Sequence, residues 1–254
     1  MHRETARCKI AFIRREGLVS KKLPVHGELF QADGREAFVI RPSALASGHP
    51  WVWYAPTLPQ YPDKNEKWMV DKFLASGISV AGVDVGESYG NPEGTRQFSG
   101  FYAAMLDRQF CMKPALLARS RGGLMLYNWA VENADKVSCI AGIYPVCCLT
   151  SFPGVEKACA AYGVSGEDLA GHEPLSKLDS LAAARVPIYH IHGDDDSVVP
   201  IEENSDALAR IYESLGGSVT LTIAEGEGHS LWPGFFRDQQ LVEFVTEHMR
   251  KNCD

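Results

Sequence analysis

The chain has 254 residues, 45% of them hydrophobic, and a formal net charge of −7. That length suits a single α/β domain, and that apolar fraction can supply a sizeable core. The acidic balance, with lysines and arginines scattered along the chain, argues against nucleic acid as a partner, and no apolar run approaches the ~20 residues that span a bilayer.

Short apolar runs alternate with helical spacing, which predicts a mostly parallel sheet with helices on both faces. Residues 23–30 and 36–41 flank Ala32-Asp33-Gly34 and predict an antiparallel hairpin. A strand over 51–55 stops at Pro56. Residues 65–76 have helical spacing through Trp68, Val70, Phe73 and Leu74 and end at Gly77, a suitable C-cap. A buried strand is predicted at 78–85, a helix at 97–108, a short strand at 114–118, a helix at 122–133 and a strand at 137–144. Residues 150–178 break this rhythm with Pro, Gly and short helical pieces, as an insertion over one end of the sheet does. The rhythm resumes with a helix at 180–184, a strand at 187–192, a helix at 202–215, a strand at 219–224 and a last helix at 237–251. Trp51, Trp53, Trp68 and Trp129 fall in apolar strand or helix patterns and are expected in the core.

The chain opens Met-His-Arg-Glu-Thr-Ala-Arg-Cys, without the apolar stretch of a secretory signal. Its seven cysteines (Cys8, Cys111, Cys139, Cys147, Cys148, Cys159, Cys253) are odd in number and irregular in spacing, with no CxxC pair or Cys/His cluster to mark a metal site. The expectation is a cytoplasmic protein with reduced thiols, no cofactor, no metal, and a small molecule rather than a membrane or nucleic acid as its partner. The oligomeric state is not readable from the sequence.

The hexapeptide Ala118-Arg119-Ser120-Arg121-Gly122-Gly123 lies between a predicted strand and a predicted helix. A serine nucleophile there needs a sharp turn, and the turn tolerates only small residues two positions before and after it. The usual pattern is Gly-x-Ser-x-Gly; here Ala118 takes the first place. The following helix aims its N-terminal amides at the same spot, and the Arg121 N–H is the natural first donor to an oxyanion. Ser120 is equally suited to be the N-cap of that helix.

Two further segments favour chemistry. The strand at 187–192 runs into Gly193-Asp194-Asp195-Asp196-Ser197-Val198-Val199-Pro200, and a triad acid belongs at such a strand end. Of the three aspartates, Asp196 precedes the turn into the next helix, whereas Asp194 and Asp195 suit loop support or solvent. Gly226-Glu227-Gly228-His229-Ser230 follows the last core strand, its glycines freeing a loop to present His229. The order Ser120, Asp196, His229, each after a strand, is that of an α/β nucleophile–acid–base set.

On Ser-Arg-Gly-Gly at 120–123, His-Gly-Asp-Asp-Asp-Ser-Val-Val-Pro at 192–200 and Gly-Glu-Gly-His at 226–229, the chain from about residue 51 onward resembles the alpha/beta-hydrolase superfamily, nearest its dienelactone-hydrolase and prolyl-oligopeptidase-like branch. The resemblance implies one domain over 1–254 with a cap insertion at 150–178, and a roughly eight-stranded, mostly parallel sheet. It also implies metal-independent acyl transfer; residues 1–50 are too few for a β-propeller. A dienelactone-type enzyme generally carries Cys where Ser120 stands. By the same likeness the second oxyanion donor follows the strand at 51–55, where Ala55-Pro56-Thr57 replaces the usual His-Gly-Gly. Pro56 has no N–H, so the Thr57 amide is the expected donor, with Leu58 or the Tyr54 hydroxyl as alternatives. Tyr54, Glu87 and Trp232 are the expected substrate-binding residues, and Arg119 and Arg121 are either a carboxylate clamp or a surface pair. The leading reading is a carboxylesterase for a small or medium ester, with carbohydrate-linked acyl groups as candidates. The alternatives are a peptidase or amidase with the same triad, and a non-catalytic binding protein on a hydrolase scaffold.

Overall fold

A computed structural model describes residues 21–253; Cys8 lies outside them. Eight strands form one sheet in the order β1-β2-β4-β3-β5-β6-β7-β8. β1 (Glu28–Ala32) and β2 (Arg35–Ile40) make the predicted hairpin. Asp33 and Gly34 both take positive φ, 48° and 76°, the conformation that a tight two-residue turn between twisted strands requires. β2 also pairs antiparallel with β4 (Ser79–Val83). From there β3 (Trp51–Ala55), β5 (Ala115–Arg119), β6 (Cys139–Ile143), β7 (Ile188–Gly193) and β8 (Val219–Ala224) run parallel.

Strands β3 to β7 are buried along their whole length, because helices cover both faces. On one side α1 (Lys67–Ala75) packs on β4 and against α8 (Gln239–Cys253), which crosses β5, β6 and β7. On the other, α3 (Gly122–Glu132) packs on β3 and β5 and touches both α2 (Pro92–Asp107) and α5 (Asp179–Ala183). The aromatic centre lies there: Trp53 meets Trp129 at 4.7 Å and Phe98 at 5.1 Å between ring centroids. Trp68 differs from expectation, being half-buried beneath the Lys72 ammonium at 5.3 Å.

Helix α2 starts five residues before the predicted boundary. Asn91 caps it by accepting from the Gly94 N–H at 2.8 Å, and Pro92 fits the first turn. The predicted 202–215 helix resolves into a 3-10 turn, Ile201–Glu203, followed by α6 (Ser205–Ser214). Residues 150–178 hold α4 (Val155–Tyr162) and short 3-10 turns, and they pack on a second apolar cluster of Leu124, Val146, Leu149, Ala158, Leu169 and Val199.

The expectation of reduced thiols throughout is corrected. Cys111 and Cys253 form a disulfide that ties the end of α8 to the loop before β5. They lie 142 residues apart in sequence, so spacing gave no sign of a pairing that the packing of α8 creates. Cys139, Cys147, Cys148 and Cys159 are free. No described helix is long and apolar enough to cross a membrane.

Candidate active site

The parallel strands end together at one edge of the sheet, and the turn from β5 into α3 carries Ser120 there. Ser120 has φ +50°, a backbone region that L side chains rarely occupy. The turn is clamped: the Ser120 N–H donates to the Ile143 carbonyl at 3.0 Å, and its own carbonyl accepts from Gly123 (2.9 Å) and Val146 (2.8 Å). Close packing explains the flanking residues. A Cβ on Gly122 would lie 2.1 Å from the Ala55 oxygen, and one on Gly123 2.2 Å from that of Val146. Ala118, where glycine is usual, is paired in register with Ala55 on one side and Gly142 on the other. Small residues across three neighbouring strands leave room for its methyl.

The structure brings Ser120, His229 and Asp196 together. The Ser120 hydroxyl lies 2.8 Å from Nε2 of His229, and Nδ1 of His229 lies 2.7 Å from Oδ2 of Asp196. With a carboxylate on Nδ1, that nitrogen carries the proton and Nε2 is free to accept. His229 stands on the loop after β8, its ring 4.4 Å from that of Tyr144 between centroids. Asp196 is buried, and its other oxygen accepts the Val198 and Val199 N–H groups at 3.0 and 2.8 Å. Burial pushes the Asp196 carboxyl upward, but donors from His192, His229 and Val199 outweigh it and hold the group well below the usual carboxylate range. Asp194 supports the loop, accepting from the Gly226 N–H at 2.6 Å, and Asp195 is exposed.

A cavity of about 250 Å³ opens on Ser120 and His229, lined also by Pro56, Tyr61, Arg119, Arg121, Tyr144, Ser230 and Leu231. The Arg121 N–H, at the start of α3, meets no acceptor among the described residues. Thr57 is buried beside Pro56, its hydroxyl turned back to the Tyr54 carbonyl at 3.1 Å.

The three expected substrate contacts lie outside the lining of this cavity. Tyr54 does not reach the cavity: it is 1% exposed, and its hydroxyl donates to Glu66 at 2.7 Å. Glu87 pairs with the Arg121 guanidinium outside the cavity lining. Trp232 leans edge-on against Phe235 of α7 (Pro233–Phe236), and the preceding Ser230 and Leu231 line the cavity. Nor is Arg119 a surface residue. It is 5% exposed, held between the Tyr61 and Phe236 rings (4.5 and 4.8 Å) and paired with fully buried Glu66. Burial pushes the Glu66 carboxyl up, opposed by Arg119 and the Tyr54 hydroxyl.

Sequence reasoning missed Tyr61, Tyr144 and Glu66, and it left Arg119 open between a carboxylate clamp and a surface pair. Tyr144 had a signal, since it ends the strand beside β5. The others depended on where the loop after β3 folds.

Solved structures match this architecture. A puromycin-hydrolysing peptidase from Mycobacterium tuberculosis aligns at TM-score 0.69 and 18% identity, over 88% of this chain and 40% of its own, so the chain spans less than half of that peptidase. An S-formylglutathione hydrolase from Agrobacterium tumefaciens aligns at TM-score 0.68 and 16% identity, covering 90% of this chain and 94% of that one. Est1E from Butyrivibrio proteoclasticus aligns at TM-score 0.62 and 16% identity, covering 89% and 98%. The chain adopts the alpha/beta-hydrolase fold. A family model described as phospholipase/carboxylesterase matches residues 156–250 of this hydrolase fold, a stretch that includes Asp196 and His229 and begins after Ser120. No match was found among curated proteins.

Proposed function

We propose that the protein is a serine hydrolase that cleaves small or medium carboxylic esters through an acyl-enzyme. The continuous hydrogen-bonded run from Ser120 through His229 to Asp196, at 2.8 and 2.7 Å, carries this reading. Nε2 of His229 takes the Ser120 proton as Oγ attacks the ester carbonyl, and Asp196 stabilises the imidazolium. The alcohol leaves with that proton. Water, deprotonated by the same imidazole, then attacks the acyl-enzyme and releases the acid and Ser120. The Arg121 N–H serves as the first donor to the oxyanion and the Thr57 amide as the second; losing one such donor costs about 10²–10³ in rate.

The cavity volume of about 250 Å³ favours compact acyl groups over long chains, and acyl groups on carbohydrates are among the substrates to be tried. The peptidase likeness supports an amidase as the second reading, and that likeness extends over 40% of the peptidase. The Cys111–Cys253 bond favours an oxidising compartment over the cytoplasm.

The test is hydrolysis of p-nitrophenyl acetate and butyrate, with the matched anilides, by the protein and its Ser120→Ala variant. Ester turnover that falls by about 10⁴-fold or more in the variant is expected. Equal activity in both proteins sinks the assignment of Ser120. Anilide rates matching ester rates favour the amidase.

A further inference from the structure

Behind Asp196 lies a second set of polar side chains that the acyl-transfer steps do not use. His190 and His192 alternate along β7 and are both 0% exposed; Ser205 opens α6, also 0% exposed, and Tyr127 of α3 is equally enclosed. The contacts form a line. Tyr127 Oη lies 2.7 Å from His190 Nε2, and His190 Nδ1 lies 3.0 Å from Ser205 Oγ. Ser205 Oγ is 2.8 Å from His192 Nδ1. His192 Nε2 is 2.9 Å from the Val199 carbonyl and 3.4 Å from Oδ2 of Asp196, the oxygen that holds His229.

With both imidazoles neutral, proton bookkeeping gives this line a single direction. The Val199 carbonyl only accepts, so His192 carries its proton on Nε2 and leaves Nδ1 bare. Ser205 therefore spends its one proton on His192 Nδ1 and must accept from His190 Nδ1–H. His190 Nε2 is then bare and accepts from the Tyr127 hydroxyl. With both imidazoles neutral every member is satisfied, and every donor points toward Asp196. Burial, with His192 alongside, pushes His190 down to about 3, so it stays neutral near pH 7. Burial likewise keeps Tyr127 protonated; Cys147 and Tyr212 are the other titratable groups facing it.

The fold makes room for this arrangement. A Cβ on Gly142, paired in register with His190, would lie 2.6 Å from that imidazole. Four enclosed polar side chains are costlier than apolar ones of the same size unless their orientation matters.

We infer that Tyr127, His190, Ser205 and His192 are positioning residues that anchor the His192 ring through Nδ1 and, through its Nε2–H, hold the Asp196–Val199 turn in the geometry His229 requires. The inference rests on the proposed hydrolase chemistry. Without Ser205 the buried Nδ1 of His192 has no donor, the ring is free to turn, and its Nε2–H is no longer held on Val199 O and Asp196 Oδ2. Asp196 then loses a donor, and its charge is left more fully to His229.

The experiment compares the full-length protein with Ser205→Ala, Ser205→Thr and Tyr127→Phe. In Ser205→Ala, kcat on p-nitrophenyl acetate should fall about tenfold with KM little changed, the worth of roughly one hydrogen bond. The acid limb of its pH–rate profile should move to higher pH, and the low-field NMR resonance of the His229 Nδ1 proton should shift or broaden. Ser205→Thr, which keeps the hydroxyl, should restore all three, and Tyr127→Phe should show a smaller change in the same sense. A Ser205→Ala protein that keeps the parental acid limb and resonance, and differs only in melting temperature, overturns the inference. If Ser205→Ala does not fold, an unchanged resonance in Tyr127→Phe overturns it equally. Should the parent hydrolyse no ester, the hydrolase reading fails, while the resonance still decides the role of the chain.

Discussion

The Ser120 hydroxyl lies 2.8 Å from Nε2 of His229, a residue 109 positions later in the chain. Neither residue reaches this contact by local structure alone. Ser120 is lifted by a turn at φ +50°, and His229 is carried back over the sheet edge by the loop after β8. The contact therefore reports on the whole parallel sheet between them.

Packing around the turn sets the first prediction. Gly122→Ala places a methyl 2.1 Å from the Ala55 carbonyl oxygen, a backbone atom that cannot swing aside. Overpacking of this kind costs about 1–3 kcal/mol, and the displaced turn should reduce kcat far more than KM. Ala118→Gly, among small neighbours, should change kcat little. Steady-state kinetics with urea midpoints for both variants check this.

Acid sensitivity follows from Asp196. Its folded-state pKa lies below the value of about 3.9 for a free aspartate. A depressed carboxylate contributes stability fully above its unfolded pKa and loses it as pH falls toward the folded one. Asp196→Asn should accordingly be less stable than the parent at pH 7, with the gap narrowing below about pH 4. Urea midpoints for both proteins at pH 7 and pH 3 measure it.

The Arg119–Glu66 pair offers a stability test separate from chemistry. Glu66 is 0% exposed, so Arg119→Met leaves a buried carboxylate without its cation. Breaking such a pair from one side typically costs about 3–5 kcal/mol, whereas replacing both partners with apolar residues often costs little. Arg119→Met should thus be much less stable than Arg119→Met combined with Glu66→Leu, as chemical denaturation would record.

Reduction of the disulfide should lower stability and spare the site. Cys111 precedes β5, at the end of the sheet opposite Ser120, and the bond closes a span of 142 residues. Loss of a long-range disulfide costs about 2–5 kcal/mol, or roughly 5–15 °C in melting temperature for a domain of this size. Cys253→Ser should show this shift while retaining the parental kcat/KM at 25 °C. An unchanged melting temperature under reductant argues against the bond.

The sequence by itself determined the alternation of strands and helices, the elbow at 118–123, the acid-bearing loop after the seventh strand and the glycine-flanked His229. These are legible because each depends on neighbours within a few positions: period-2 and period-3.6 patterning, a turn that admits only small residues, and a strand end followed by Gly. What the sequence left open concerns the direction of side chains. Tyr54 lies in a strand buried on both faces, and periodicity cannot say which element covers each face; the structure sends it to Glu66. Trp232 and Leu231 are adjacent, and only the path of the His229 loop decides that Leu231 faces the cavity. Cys111 meets Cys253, and Ser205 meets both His190 and His192, because α8 and α6 dock where they do. Such contacts join residues far apart in the chain, and it is packing that selects them, so tertiary structure alone decided them.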